Sequence, residues 1–149
     1  MRAVICRELT GVGGLECVND WPEPQAAAGE VVVDVKAAAL NFPDLLMIQG
    51  LYQERPPLPF VVGTEMAGVV AAVGAGVTQF APGDRVVAAC GRTLAQRVAA
   101  KAALVLPAPA KLSFEQASGI CITYCTTMHA LKQRAQLQPG EAAAEPVSG

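Results

Sequence analysis

A chain of 149 residues, 52% apolar and 16% charged, has room for one domain with a hydrophobic core and is too apolar to be disordered. Its formal net charge of −2 excludes a nucleic-acid footprint, which needs clustered Lys and Arg, and no apolar run is long enough for a membrane span. Five cysteines without a C-x-x-C pair predict reduced thiols in a cytoplasmic protein, and Arg2, Arg7 and Glu8 stand where a secretory signal would be apolar.

Fourteen Gly and eleven Pro predict many turns and short strands. Residues 2–7 read as a strand and 15–21 as its hairpin partner, turned at Gly11-Val12-Gly13-Gly14. Residues 31–40 are β-branched and mostly apolar, which suits a central strand. Asn41 can cap the short helix that follows, with Pro43 in its first turn and Gly50 as its stop. After a proline-rich loop at 53–59, residues 65–73 form a strand. Its Gly68 marks a place where something must approach the backbone closely. Residues 80–87 predict a turn and a strand, and 94–100 and 103–106 two more strands. Ser113 and Gln116 form a capping box opening a helix near 114–120, and a second helix is expected over 123–136. Strands first and helices last argue for a mainly β fold with peripheral helices, an irregular and partly open β-barrel.

Two patterns imitate chemistry. Gly74-Ala75-Gly76 after an apolar strand resembles the start of a dinucleotide fingerprint, but Gln79 holds the third glycine position and Pro82-Gly83 follows in place of a helix. A β-turn is expected there. Cys121 and Cys125 would share a helical face. They have no flanking Lys or Arg to lower a thiol pKa, so they are expected to be buried small hydrophobes.

Three segments in order carry a family resemblance: residues 39–44 (Ala-Leu-Asn-Phe-Pro-Asp), 63–70 (Gly-Thr-Glu-Met-Ala-Gly-Val-Val) and 82–86 (Pro-Gly-Asp-Arg-Val). Gly50-Leu51-Tyr52 and residues 123–127 extend it, so that it covers 1–141. Together they resemble the zinc-free quinone oxidoreductase branch of the medium-chain dehydrogenase/reductase superfamily, and within it the N-terminal GroES-like domain.

The resemblance implies a reductase that passes hydride from NADPH to a quinone or enone, with the protein mainly orienting the two rings. By matched position, Asn41 and Asp44 resemble nicotinamide-side residues, Tyr52 a ring covering the cofactor or quinone, and Thr123 and Thr127 hydroxyls at the nicotinamide end. No catalytic residue is assigned. Leu46 departs from relatives that place a tyrosine there. Zinc-dependent relatives carry Cys where Asn41 stands and His where Thr64 stands. An amide and a hydroxyl cannot replace thiolate and imidazole, and His129 is the single histidine, so no metal is expected. Each residue also has a structural reading: Asn41 and Thr123 as helix caps, Asp44 as a helix-dipole partner, Tyr52 as a packing residue.

Residues 1–136 are expected to form the domain, and 137–149 a truncated, disordered linker or tail. Pro139-Gly140-Glu141 resembles the entry to the family's nucleotide domain. The ending beyond it lacks the Val, Ile and Leu of a buried parallel strand, and Pro146 opposes one. The expectation is a chain without the Rossmann domain, which binds no NADPH alone and is inactive alone. The alternative is a non-catalytic fragment that binds a partner, such as a full-length relative, or assembles as a homo- or hetero-oligomer.

Overall fold

The computed structural model describes residues 1–143. Strand β1 (Ala3–Cys6) pairs antiparallel with β2 (Leu15–Val18) through a tight 3-10 turn at Gly11–Gly14, and on its other side with β4 (Phe60–Val61). Strands β3 (Glu30–Ala39), β5 (Glu65–Val73), β6 (Arg85–Ala89), β7 (Arg97–Lys101) and β8 (Val105–Pro107) form a second antiparallel sheet in the order β7-β3-β5-β6-β8. The strands expected at 94–100 and 103–106 are thus β7 and β8.

The two sheets do not close into one barrel. Residues 94–96 lie between them as a strap: Val4 N–H donates to Leu94 O at 2.8 Å, Gln96 N–H to Arg2 O at 3.1 Å, and Val35 N–H to Gln96 O at 2.9 Å. The main core sits on one face of the larger sheet, where Val31, Val33, Met66, Val70, Val86, Val98 and Ala100 are buried at the alternate positions a strand presents to one side. Each such valine contributes about 1.5–3 kcal/mol of transfer free energy.

Gly68 answers its sequence reading. The β3–β5 register shifts between Val35 and Ala37, and a Cβ at Gly68 would lie 2.7 Å from Val33 Cγ1 and collide with the Asp34 carbonyl. Gly74 is a packing glycine too. Its N–H donates to Glu30 O at 2.8 Å, Val77 N–H returns to its carbonyl at 3.3 Å, and a Cβ there would sit 2.7 Å from the carbonyl carbon of Ala27. The segment after it is a turn, with no helix to meet a phosphate.

Helix α1 (Phe42–Ile48) ends in a Schellman motif: Leu51 N–H donates to Leu46 O at 2.9 Å and Gly50 N–H to Met47 O at 3.1 Å, with Gly50 at φ +70°. Helix α2 (Phe114–Ser118) opens on the expected box, with Gln116 N–H donating to Ser113 Oγ at 3.2 Å and Ser113 N–H to Gln116 Oε1 at 3.1 Å. Its Ala117 seals against Ala67 and Val87. The last helix differs from expectation. Helical winding starts at Ile120, in wide π-type turns over Ile120–Tyr124, tightens at α3 (Cys125–Met128), and widens again over His129–Arg134. Thr123 is therefore inside a helical turn and caps nothing. Cys125 is exposed, not buried, and Cys121 is partly buried.

Glu141 N–H closes a turn onto Gln138 O at 3.1 Å, and residues 144–149 of the expected tail lie outside the described residues. Among the described residues no helix is long and apolar enough to cross a membrane.

Candidate functional site

The site grows from the junction of β3, α1 and β5. Asn41 leaves β3 in extended backbone (φ −126°, ψ 163°) and occupies the N-cap position of α1. It forms a capping box with Asp44, and its amide nitrogen reaches further, into the fold. The Asn41 amide donates from Nδ2 to Glu65 Oε1 at 2.9 Å, while the Asp44 carboxylate turns back to accept Asn41 N–H at 2.8 Å. The same Asp44 oxygen accepts the Thr64 hydroxyl at 3.2 Å. Asp44 is 2% exposed, and its other oxygen, Oδ1, has no partner.

Glu65 is the first residue of β5, opposite Ala39 of β3 and Ala89 of β6, and is fully buried. Its second oxygen accepts the backbone N–H of Ile122 at 3.0 Å. That amide lies in the wide first turn of the last helical segment. Gly63 makes the approach possible: at φ +99° it turns the chain where a Cβ would press on Leu94 N at 2.9 Å, so that Thr64 and Glu65 point inward. Neither carboxylate has an ion-pair partner among the described residues.

The residues singled out from sequence fall into three places. Asn41 and Asp44 meet in the buried network. Thr123 follows Ile122 directly and accepts the Thr127 hydroxyl on its carbonyl at 3.0 Å, with both threonines exposed. Tyr52 stands apart, half-buried against the cluster of Cys6, Met47, Ile48, Phe60 and Val62. Glu65 lies within the 63–70 segment that carries the resemblance. The signal was available, because a carboxylate opening an otherwise apolar strand has to find donors inside the fold.

A cleft of about 310 Å³ opens beside the network, walled by Met47, Phe60, Gly63, Thr64, Cys90 and Arg92. A hollow of about 330 Å³ between the two sheets, at Ala3, Val35 and Thr93, is similar in size; neither space is lined by the two carboxylates, and only the first touches their partner Thr64. Burial pushes the Cys90 thiol up to about 11, with Cys121 as the second cause. Burial likewise raises Cys121 to about 11, helped by the Glu65 carboxylate and Cys125. These thiols are the opposite of activated nucleophiles. Among the described residues no three His, Cys, Asp or Glu side chains gather as a metal site.

Two open antiparallel sheets with helices at one end, and a carboxylate network at their rim that is satisfied by neutral donors, define an N-terminal domain of the medium-chain dehydrogenase/reductase type. The sequence agrees over most of its length. The chain belongs to the alcohol dehydrogenase GroES-like domain family, whose profile matches residues 27–131. It is 40% identical over 143 residues to the quinone oxidoreductase-like protein 2 homolog of Nematostella vectensis, covering 94% of this chain and 38% of that protein. A probable oxidoreductase from Mycobacterium abscessus superposes with a TM-score of 0.89 at 41% identity, covering 95% of this chain and 45% of that one. The Escherichia coli quinone oxidoreductase complexed with NADPH superposes with a TM-score of 0.84 at 32% identity, covering 89% and 41%. The chain thus spans about two-fifths of the length of these three relatives.

Proposed function

We propose that this domain is the substrate side of an NADPH-dependent reductase acting on quinones or enones. The observation that carries the reading is the junction at Glu65, which brings Asn41 and the amide before Thr123 to one buried carboxylate beside the cleft. When bound, NADPH supplies the hydride. Asn41 and Asp44 would stand at the nicotinamide side, Thr123 and Thr127 would offer hydroxyls to its amide end, and Tyr52 would cover the rings. Met47 and Phe60 in the cleft wall would exclude water from one side, and no side chain is asked to move a proton. The names of the relatives support a quinone-type acceptor.

The phosphates fit less well. Among the described residues no strand, glycine loop and helix follow one another to present amides to a pyrophosphate. Residues 1–136 would act as the domain and 137–149 as linker. The 149 residues by themselves are expected to bind no NADPH below about millimolar, a loss of more than ~4 kcal/mol against a micromolar site. NADPH titration of the purified chain followed by a simple quinone tests this. Joining residues 1–141 to the nucleotide-binding half of an active relative is expected to give quinone-dependent NADPH oxidation. A folded chimera without that activity would sink the reading.

A second reading is a non-catalytic chain that docks on a full-length relative or on a second copy. It is favoured by Tyr124 at 65% and Met128 at 56% exposure, on a helical stretch with no buried residue from Ile120 to Arg134. Light scattering of the chain, alone and mixed with such a relative, separates the two readings.

A further inference from the structure

Glu65 is fully buried, meets no cation among the described residues, and lies within hydrogen-bond distance of two elements far apart in the chain. One oxygen takes the Asn41 side chain at 2.9 Å and the other takes the Ile122 amide at 3.0 Å. A buried carboxylate is expensive to keep when apolar side chains of similar volume are available, so its presence asks for a geometric reason. The geometry at the other end supplies one. The Ile122 amide that meets the carboxylate lies within the wide turn at Ile120–Tyr124. Wide turns of this kind commonly mark functional positions in helices.

We propose that Glu65 is a positioning residue: it pins the first turn of the terminal helical segment to the N-cap of α1, and so fixes Thr123 relative to Asn41. The pin acts through two oxygens held apart by one rigid carboxylate, on a strand paired on both sides. No other side chain is bonded to an amide of the Ile120–Arg134 segment among the described residues. What is being positioned, the two nicotinamide-side groups, rests on the reductase reading. The pinning itself does not, and it is measured without cofactor.

The test is amide hydrogen exchange by NMR on the 149-residue chain and three variants. Glu65→Gln keeps an acceptor for Ile122, and its amide can donate to Asn41 once the Asn41 amide flips. Its Ile122 exchange is expected to stay near the starting rate. Glu65→Met keeps the volume and removes both acceptors. Ile122 exchange is then expected to rise about tenfold or more, the scale of one lost hydrogen bond, and the Thr123 signals to shift, while β3 and β5 stay protected. Glu65→Asp shortens the arm by one methylene and is expected to release Ile122 as well, which carries the test if the methionine variant does not fold. Ile122 exchanging at the starting rate in a folded Met or Asp variant would overturn the proposal. So would a Gln variant as fast as the Met variant. Loss of NADPH activity in a chimera with normal pinning would count against the reductase reading alone.

Discussion

Gly68→Ala perturbs the strand pair that carries the site. The new methyl would lie 2.7 Å from Val33 Cγ1 and 3.1 Å from the Asp34 carbonyl carbon, with the carbonyl oxygen closer still. Carbon atoms rest at about 3.5–4.0 Å, so β3 and β5 must separate locally by roughly 1 Å. Val33 is fully buried, and the clash is with backbone that is paired on both sides, so neither partner can swing away. Overpacking of this kind costs about 1–3 kcal/mol. For a chain of this length that lowers Tm by roughly 3–10 °C. The shift also reaches the site, since the Ala39–Glu65 pair lies on the same two strands, and the Asn41 side-chain amide signal should move. The control is Gly13→Ala: nothing lies within 4 Å of a Cβ there and its φ is not left-handed, so Tm should hold or rise slightly. Thermal melts followed by circular dichroism measure both. A Gly68→Ala melt within about 1 °C of the parent would refute the close-approach account.

Further consequences are open to direct measurement. At neutral pH iodoacetamide should label the exposed Cys17 and Cys125 and spare Cys90 and Cys121, until denaturant exposes all five thiols. Folding holds the Cys90 thiol protonated up to about 11 against an ordinary 9.0, so that contribution to stability is whole below pH 9 and fades as pH rises towards 11. Melts at about pH 8 and about pH 10 should show a larger loss for the parent than for Cys90→Ala, and equal losses would contradict this. Ser113→Ala removes the α2 cap and should cost about 1 kcal/mol, or roughly 2–4 °C in Tm. After incubation with zinc and dialysis the chain should retain no stoichiometric metal. One zinc per chain by atomic absorption would mean that the donor set has been misread.

Much of the fold was legible because it rests on local chemistry. The β-branched run of β3, the Pro-Gly turn before β6, the Ser113 box and the Gly50 stop each act within a few residues, and each lies where the sequence put it. Gly68 was legible as a close approach, but not which backbone would approach, because Asp34 is 34 positions earlier and the bulge depends on register. The helix expected to begin at Thr123 begins at Ile120, since its first turn is set by a long-range bond to Glu65 and not by a local cap. The Asn41 side chain shows the same limit. Its place in the capping box with Asp44 is local and legible, but the bond from its Nδ2 to a carboxylate 24 residues away is not.

The Asn41–Glu65 bond bears on the absence of metal ligands at the positions the resemblance marks. A thiolate and an imidazole there would be answered by a cation. Asn41 and Thr64 are neutral, and each donates a hydrogen bond to a buried carboxylate, Asn41 to Glu65 and Thr64 to Asp44. Three of the four carboxylate oxygens thereby act within the protein, leaving only Asp44 Oδ1 without a partner. A divalent ion would have to break those bonds and would find no thiolate or imidazole gathered to receive it. The donors and acceptors at this junction are matched to one another, so the work left to it is to hold Asn41, Asp44 and the turn before Thr123 at fixed separations. Hydride transfer between two stacked rings asks a protein for that kind of alignment more than for an acid, a base or a Lewis acid.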